Sequence, residues 1–355
     1  LPILLGECGD LAACEKIASQ TKVLCTTVGP YLDYGVPMVQ ACVEAGTDYC
    51  DLSGETPFIR RIIDEFELSA IQGQSKIVPS CGFDSIPSDL GCWMLQEYAL
   101  EHYGAPCEDV TLYVGKTKGG MSGGTIASMI GLLQRSVTDR SIRRTLGHPY
   151  ALNPEGTWRG EDGSDQANVR WDPDLGCWTG PFVMAGINTR IVRRTNALLE
   201  EKYGSKFSYR EVTTYPKGFK SRVRAEIMRF GLGAFVGMVA LKPTRTLLEK
   251  TILPAPGEGP SAKERNAGYF NFTLIGKGRS PNGESFEVKG SVYGDKDPGY
   301  AGTARMLGEA AISLALQRVE LPKTYGILTP ASAMGTVLLR RLQNAGMEFK
   351  VETRL

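Results

Sequence analysis

Three short stretches hold the residues that could do chemistry: Val28-Gly29-Pro30-Tyr31, Leu52-Ser53-Gly54-Glu55 and Ser80-Cys81-Gly82-Phe83-Asp84. Each follows an apolar run of strand type and places a glycine just beyond it. Glycine there lets a flat ligand or a pyrophosphate come close to the backbone, and it equally makes an ordinary tight turn. If a ligand is bound, the chemistry in view is hydride transfer to a carbonyl, imine or activated alkene, which needs a proton donor. Tyr31, Asp84 and Lys116 are donor types, although none stands in a diagnostic spacing such as YxxxK. The two histidines, His102 and His148, lie in polar connecting segments and read as solvated. No HExxH, triad or Walker A pattern appears, so zinc-protease, nucleophilic and NTPase chemistry lack support, and no metal site is expected.

These turns can cooperate only if the runs before them end side by side, and the first hundred residues supply that arrangement. Ile3–Gly6 reads as a short strand and Asp10–Ser19 as a helix with Asp10 as its N-cap. Lys22–Val28 is a strand, Val36–Ala45 a helix stopped by Gly46, and Asp48–Leu52 a strand. Thr56–Gln72 follows as an amphipathic helix and Lys76–Pro79 as a further strand. Strand and helix in rotation at this spacing predict right-handed crossovers and a parallel, doubly wound sheet, with ligands at the strands' carboxyl ends. Pro79 and Gly82 end the last run. Ser88 and Asp89 then read as the capped first turn of the next helix.

After about Leu95 the rhythm changes. Asp109–Lys118, Ser208–Tyr215, Tyr269–Ile275 and Ser285–Tyr293 alternate like half-buried strands, and no regular helix separates the last two. A mostly antiparallel sheet follows from that. Helical patterns cover Gly124–Arg135, Asn188–Lys202, Ala301–Gln317 and Ser332–Ala345, the last ending the chain. Asn153–Gly180, polar and rich in Gly and Trp, reads as a long irregular loop. The expected layout is a partial nucleotide-binding domain over residues 1–95, an α+β substrate or dimerisation domain over 96–300, and C-terminal helices over 301–355 packing back on the first.

The chain has 355 residues and a formal net charge of +1, so nothing in its charge calls for nucleic acid. Its nine cysteines are scattered, and several (Cys25, Cys42, Cys50) sit in apolar runs where Cys serves as a small core hydrophobe. Reduced structural thiols in an intracellular, cytosolic protein are the expectation. No basic signal-peptide region opens the chain. The dinucleotide fingerprint GxGxxG is absent. Gly119-Gly120-Met121-Ser122-Gly123-Gly124-Thr125 is glycine-rich, and reads either as an anion-binding start to the helix from Thr125 or as a plain turn.

Taken in order, VGPYLDYGVPMVQACVEAGTDYCDLSGE, SCGFDSIPSDLG, GGMSGGTIAS, LPAPGEGPS and LTPASAMG resemble the saccharopine dehydrogenase-like oxidoreductase family. The branch resembled includes mycobacterial trans-acting enoyl reductases and the animal saccharopine dehydrogenase-like protein. The resemblance implies an NAD(P) cofactor and a truncated Rossmann-like sheet. Its first strands and GATGxTG-type loop, roughly 70–80 residues in this kind of fold, would precede Leu1, as in a fragment or an incorrectly assembled gene. A chain without that loop is expected to be inactive alone. The resemblance also implies that Asp10 falls near adenine, that Val28, Gly29 and Pro30 fall near the ribose and nicotinamide, and that Gly54, Cys81 and Gly82 line the cofactor edge. Asp84, Ser85 and Asp89 would then sit in the interdomain cleft facing the nicotinamide. Relatives' association with lipid droplets and with glycolipid or phthiocerol-type lipid synthesis points to a lipid-linked or acyl substrate.

A second function competes with this one. Arg190–Lys250 holds fourteen Lys or Arg against five Glu, and within it Phe230–Leu241 carries no charge. Twelve residues are too few to span a bilayer as a helix, which takes about twenty. The segment reads either as a helix buried against the second sheet or as a membrane- or lipid-droplet-surface element flanked by Arg229, Lys242 and Arg245. On the latter reading the chain is a non-catalytic lipid-surface protein that keeps the fold. A homodimer is compatible with both.

Overall fold

Short apolar runs, each cut off by a polar turn, build the first sheet. The computed structural model describes residues 3–120, 123–156, 160, 162–251 and 259–353. Strands β1 (Val23–Cys25), β2 (Asp48–Cys50) and β3 (Lys76–Val78) pair in parallel, Cys25 opposite Cys50 and Cys50 opposite Val78. Helices α2 (Tyr31–Ala45) and α3 (Thr56–Gln72) make the crossovers. Gly46, at φ 68°, ends α2 in the left-handed conformation that costs other residues most. The fourth strand comes from the far end of the chain: β10 (Gly326–Ile327) lies parallel to β3, giving the order β1-β2-β3-β10.

Ile3–Gly6 is not a strand. It pairs with no strand among the described residues and is exposed, so alternation alone does not make it one. Asp10 does cap α1 (Leu11–Ala18), its carboxylate accepting the Ala12 N–H at 3.1 Å.

The second sheet has seven strands in the order β11-β9-β8-β4-β7-β6-β5. They are β4 (Cys107–Lys118), β5 (Arg170–Asp172), β6 (Cys177–Gly180), β7 (Ser208–Tyr215), β8 (Tyr269–Arg279), β9 (Ser285–Gly294) and β11 (Glu348–Thr353). Every neighbouring pair is antiparallel except β4 with β7. Two expectations change here. The polar stretch from Asn153 contains the hairpin β5–β6 (residues 157–159 and 161 lie outside those described). The chain also does not end in a helix: α12 (Pro330–Asn344) stops, Gly346 turns at φ 93°, and β11 pairs with β9.

Helix α4 (Ile86–Tyr103) lies between the two layers. It is buried on several sides, as an all-round apolar helix must be, through Ile86, Leu90, Leu95 and Ala99. A Cβ on its Gly91 would stand 3.1 Å from Val292, so this glycine permits close approach to β9. Asp89 does stand in the first turn of α4, but it does not cap that helix. Its carboxylate accepts the Thr195 hydroxyl at 2.5 Å and the Ala331 N–H at 2.8 Å, serving the N-terminus of α12 instead. Ser85, at the N-cap position, makes no side-chain cap bond.

Helix α7 (Ala185–Leu198) corrects the reading of a basic segment. Arg190, Arg193 and Arg194 are all buried. Arg190 pairs with Asp165, and Arg193 with Asp162 at 2.8 Å, holding the polar stretch onto the core. The helix stops at Leu198 because Glu200 and Glu201 adopt left-handed φ. The remaining helices are α5 (Gly123–Thr138), α6 (Arg140–Gly147), α8 (Phe219–Ala240), α9 (Lys242–Thr251), α10 (Ala262–Asn266) and α11 (Thr303–Leu316), the last entered through a π-helical turn at Pro298–Gly302. Phe230–Leu241 is not buried against a sheet, since only Ala225 and Val239 of α8 are buried. All nine cysteines are free, and Cys25 is exposed rather than in the core.

Candidate functional site

The site is built where β1, β2 and β3 end. Beyond β1 the chain runs through a cis Gly29–Pro30 peptide into α2. The first N–H groups of a helix lack internal partners and favour a negative charge. Glu55, from the next turn, meets that need: one carboxylate oxygen accepts the Tyr31 N–H and the other the Leu32 N–H, each at 2.9 Å. The same carboxylate accepts the Ser128 hydroxyl of α5 at 2.8 Å, which draws that helix in as well.

Asp51, fully buried, joins the second turn to the third. It accepts the N–H of Ser53 at 2.8 Å, the N–H of Ser80 at 3.0 Å and the Tyr49 hydroxyl at 2.8 Å. Burial pushes its carboxyl up to about 6, against the hydrogen bonds that favour the anion. Ser80 sits at φ 64°, uncommon for a residue with a Cβ, and its hydroxyl donates to Ser53 O at 2.6 Å.

Asp84 differs from these two. It is half-buried, and among the described residues its carboxylate has no hydrogen-bond or ion-pair partner. Desolvation alone pushes it up to about 6. A Cβ placed on Gly54 would meet an Asp84 oxygen at 3.7 Å and the Met184 methyl at 3.9 Å, ordinary contact distances, so the backbone at Gly54 is approachable. Gly82 is the opposite case. Its Cβ would stand 3.2 Å from Leu52 and 3.3 Å from Thr303, so tight packing alone accounts for a glycine here.

Beside Asp84 the wall is aromatic. The Phe83 ring lies 4.9 Å from Phe270 and 5.5 Å from Phe272, and Phe182 lies 6.3 Å from Phe272. Thr303 Oγ1 accepts the Phe83 N–H at 3.1 Å, fixing the wall to α11. Phe83 and Phe182 are half-buried and present apolar surface.

The remaining candidates are dispersed. Tyr31 is buried, its hydroxyl bonded to Thr26 O at 3.3 Å and its ionisation suppressed mainly by burial. Lys116 is exposed at a register shift in β4 and has no hydrogen-bond or ion-pair partner among the described residues. Cys81 is buried, Val28 is exposed beside Gly29 and Pro30, and Asp10 is exposed at its cap. The glycine-rich loop is described at Gly119 and Gly120, where Asp297 accepts the Gly120 N–H at 3.3 Å; Met121 and Ser122 lie outside the described residues, as do residues 253–258 of LPAPGEGPS. His102 is exposed and stacked on Tyr98 at 3.8 Å. Among the described residues no group of His, Cys, Asp or Glu is placed to hold a metal ion. A shallow hollow lined by Lys22, Asp48 and Arg318 opens at the opposite, amino edge of β1 and β2.

Sequence reasoning missed Asp51, Glu55 and Ser128 as organisers of the site. An acid within two residues of a Ser-Gly turn at a strand's end was the available signal for the first two. Nothing local marks Ser128.

No family profile matches the chain. Among curated proteins it is 40% identical to a Mycobacterium tuberculosis protein named provisionally as a trans-acting enoyl reductase, over 100% of this chain and 85% of that one. It is 35% identical to the trans-acting enoyl reductase of Mycobacterium bovis, over 98% and 84% of the two chains. Among solved structures, apo saccharopine dehydrogenase (L-Glu forming) from Saccharomyces cerevisiae superposes with a TM-score of 0.54 at 12% identity, covering 98% of this chain and 88% of that one, a likeness of fold. With a parallel sheet at one end, a mixed sheet at the other and full-length identity of this order, the chain belongs to the saccharopine dehydrogenase-like oxidoreductase family, in the branch of the trans-acting enoyl reductases.

Proposed function

We propose that this protein reduces the carbon–carbon double bond of an α,β-unsaturated acyl group on a lipid or carrier, using NADH or NADPH, with Asp84 as the proton donor. The observation that carries this reading is the unpartnered Asp84 carboxyl beside the approachable backbone of Gly54. The residues present suit the nicotinamide end of a dinucleotide: they lie at the carboxyl edge of a parallel sheet, and Gly54 leaves room that a side chain would take. The enoyl substrate is carried over from the relatives' names.

When bound, the cofactor supplies a hydride to the β-carbon of the acyl group. The protein's own contribution is the matching proton. An acid near 6 retains some protonated form at neutral pH, and delivery from Asp84 to the α-carbon completes a saturated product. Glu55 and Asp51 keep the turns in place, so the acid and the open backbone hold their relative positions. Phe83 and Phe182 offer apolar surface to an acyl chain and exclude water from the acid.

The test is a titration of the full-length protein with NADH and NADPH, followed by turnover of a 2-enoyl thioester. Asp84→Asn should leave cofactor binding intact and abolish most turnover. Absence of binding for both cofactors at millimolar concentration would overturn the proposal.

A further inference from the structure

Helix α8, the longest of the described helices, carries an outer apolar face that no described residue covers. At roughly 100° per residue, Phe219, Val223, Ile227, Phe230, Ala234, Met238 and Leu241 fall within an arc of about 100°. All seven are exposed, Phe219 at 80%, Ile227 at 65%, Phe230 at 64% and Leu241 at 61%. The buried positions lie across the helix: Ala225 and Val239 are buried and Phe235 packs against the cluster of Ile130, Val239 and Leu248, although Met228 in that arc is itself 57% exposed. The uncharged run legible in the sequence is thus only the second half of a stripe that begins eleven residues earlier, at Phe219, and runs the whole helix.

The charges around the stripe have one sign. Lys217, Lys220 and Arg224 precede or flank it, and Lys242 follows its end. All four are exposed, and among the described residues none has a carboxylate partner. The single acid of α8, Glu226, is already paired with Arg229 at 2.7 Å. A second copy of this surface would bring cations to cations with no acid to meet them. A sheet of anionic headgroups over acyl chains complements both features. No described helix is long and apolar enough to cross a membrane, so the helix would lie along a surface.

We infer that α8 docks this protein on an anionic phospholipid bilayer, Phe219, Ile227, Phe230 and Leu241 entering the acyl boundary and Lys217, Lys220, Arg224 and Lys242 meeting headgroup phosphates. The inference does not depend on the redox assignment.

Flotation of the full chain with phosphatidylcholine vesicles, with and without phosphatidylserine, tests it. Binding should favour the serine-containing vesicles by at least tenfold and weaken in half-molar salt, since the headgroup contribution is screened. Ile227→Glu and Phe230→Glu, both at exposed positions, should each lower binding at least tenfold with an unchanged thermal midpoint. Should either unfold the protein, Lys220→Glu with Arg224→Glu should still remove the preference for anionic vesicles. Equal binding to both vesicle types, or binding unaffected by all these changes, overturns the inference. So does light scattering that finds a dimer which Phe230→Glu separates, with no vesicle binding: the stripe would then be a seam between two copies.

Discussion

The guanidinium of Arg194 donates at 2.5 Å to the carbonyl of Ile327, 133 residues further along the chain. Its other contacts are Leu152 O at 2.5 Å and Glu67 at 3.2 Å, and Glu67 in turn accepts the Ile327 N–H at 2.9 Å. One buried side chain therefore holds α3, α7, the backbone at Leu152 just ahead of the polar stretch and the last strand of the first sheet together.

Replacing it should be costly. Arg194→Met leaves two buried carbonyls without donors and Glu67 without its cation, a loss of about 3 kcal/mol. Arg194→Lys keeps the charge but not the planar fork, and should cost about 2 kcal/mol. Urea denaturation of both variants measures this; midpoints unchanged from the parent would refute the structural role.

Asp84 makes a prediction with a definite sign. Its folded value, about 6, lies above the ordinary 3.8, so the folded state binds the extra proton between those values. The contribution is fully favourable below pH 3.8 and is lost as pH rises through 6. Asp84→Asn should therefore stabilise the protein at pH 8 by about 1–2 kcal/mol, discounted for partial exposure, and by almost nothing at pH 4. Reductase turnover of the unaltered enzyme should fall as pH rises above about 6. A turnover profile that instead climbs across that interval would remove Asp84 as the acid.

Two glycines separate ligand space from packing. Gly54→Val should shift stability by no more than about 0.5 kcal/mol and reduce turnover at least tenfold, because the new side chain projects beside Asp84. Gly82→Ala should cost about 1–2 kcal/mol through its contacts with Leu52 and Thr303. Thermal melts paired with rate measurements distinguish them; the reverse pattern would move the ligand space to Gly82.

Among the nine thiols, Cys25 should react first. It is exposed, and a hydrogen bond from Cys50 lowers its pKa and so favours the reactive thiolate, whereas burial raises the pKa of Cys42, Cys81 and Cys107 and keeps them as thiols. Brief maleimide labelling at pH 7 followed by peptide mapping should find the label there. Equal labelling of Cys81 would mean that the third turn opens in solution.

Much of this architecture is legible locally. Helix α3 occupies Thr56–Gln72 as its periodicity predicts, β7 occupies Ser208–Tyr215, and Gly46 stops α2. These elements announce themselves because side-chain period and terminal residues act within a few positions. β10 does not, since two residues carry no period and the strand exists only through β3 and Arg194. Asp89 illustrates the same limit inside the site region. A serine and an acid at a helix start look like a local cap, yet the carboxylate is committed to Ala331, 242 residues away. The turns at the carboxyl edge of the first sheet could be read from Gly54 and Asp84, whereas the long-range partners of the neighbouring acids, Ser80 for Asp51 and Tyr31 for Glu55, are not displayed by spacing.

The placement of β10 also has a temporal consequence. At ribosomal speeds of 5–20 residues per second, about 250 residues separate the emergence of β3 from that of its outer neighbour, an interval of roughly 10–50 s. Throughout that wait one margin of the first sheet presents unsatisfied peptide groups to solvent, an invitation to wrong pairing. Synthesis at low temperature or alongside a holdase should accordingly raise the recovered yield of this chain more than any surface substitution would.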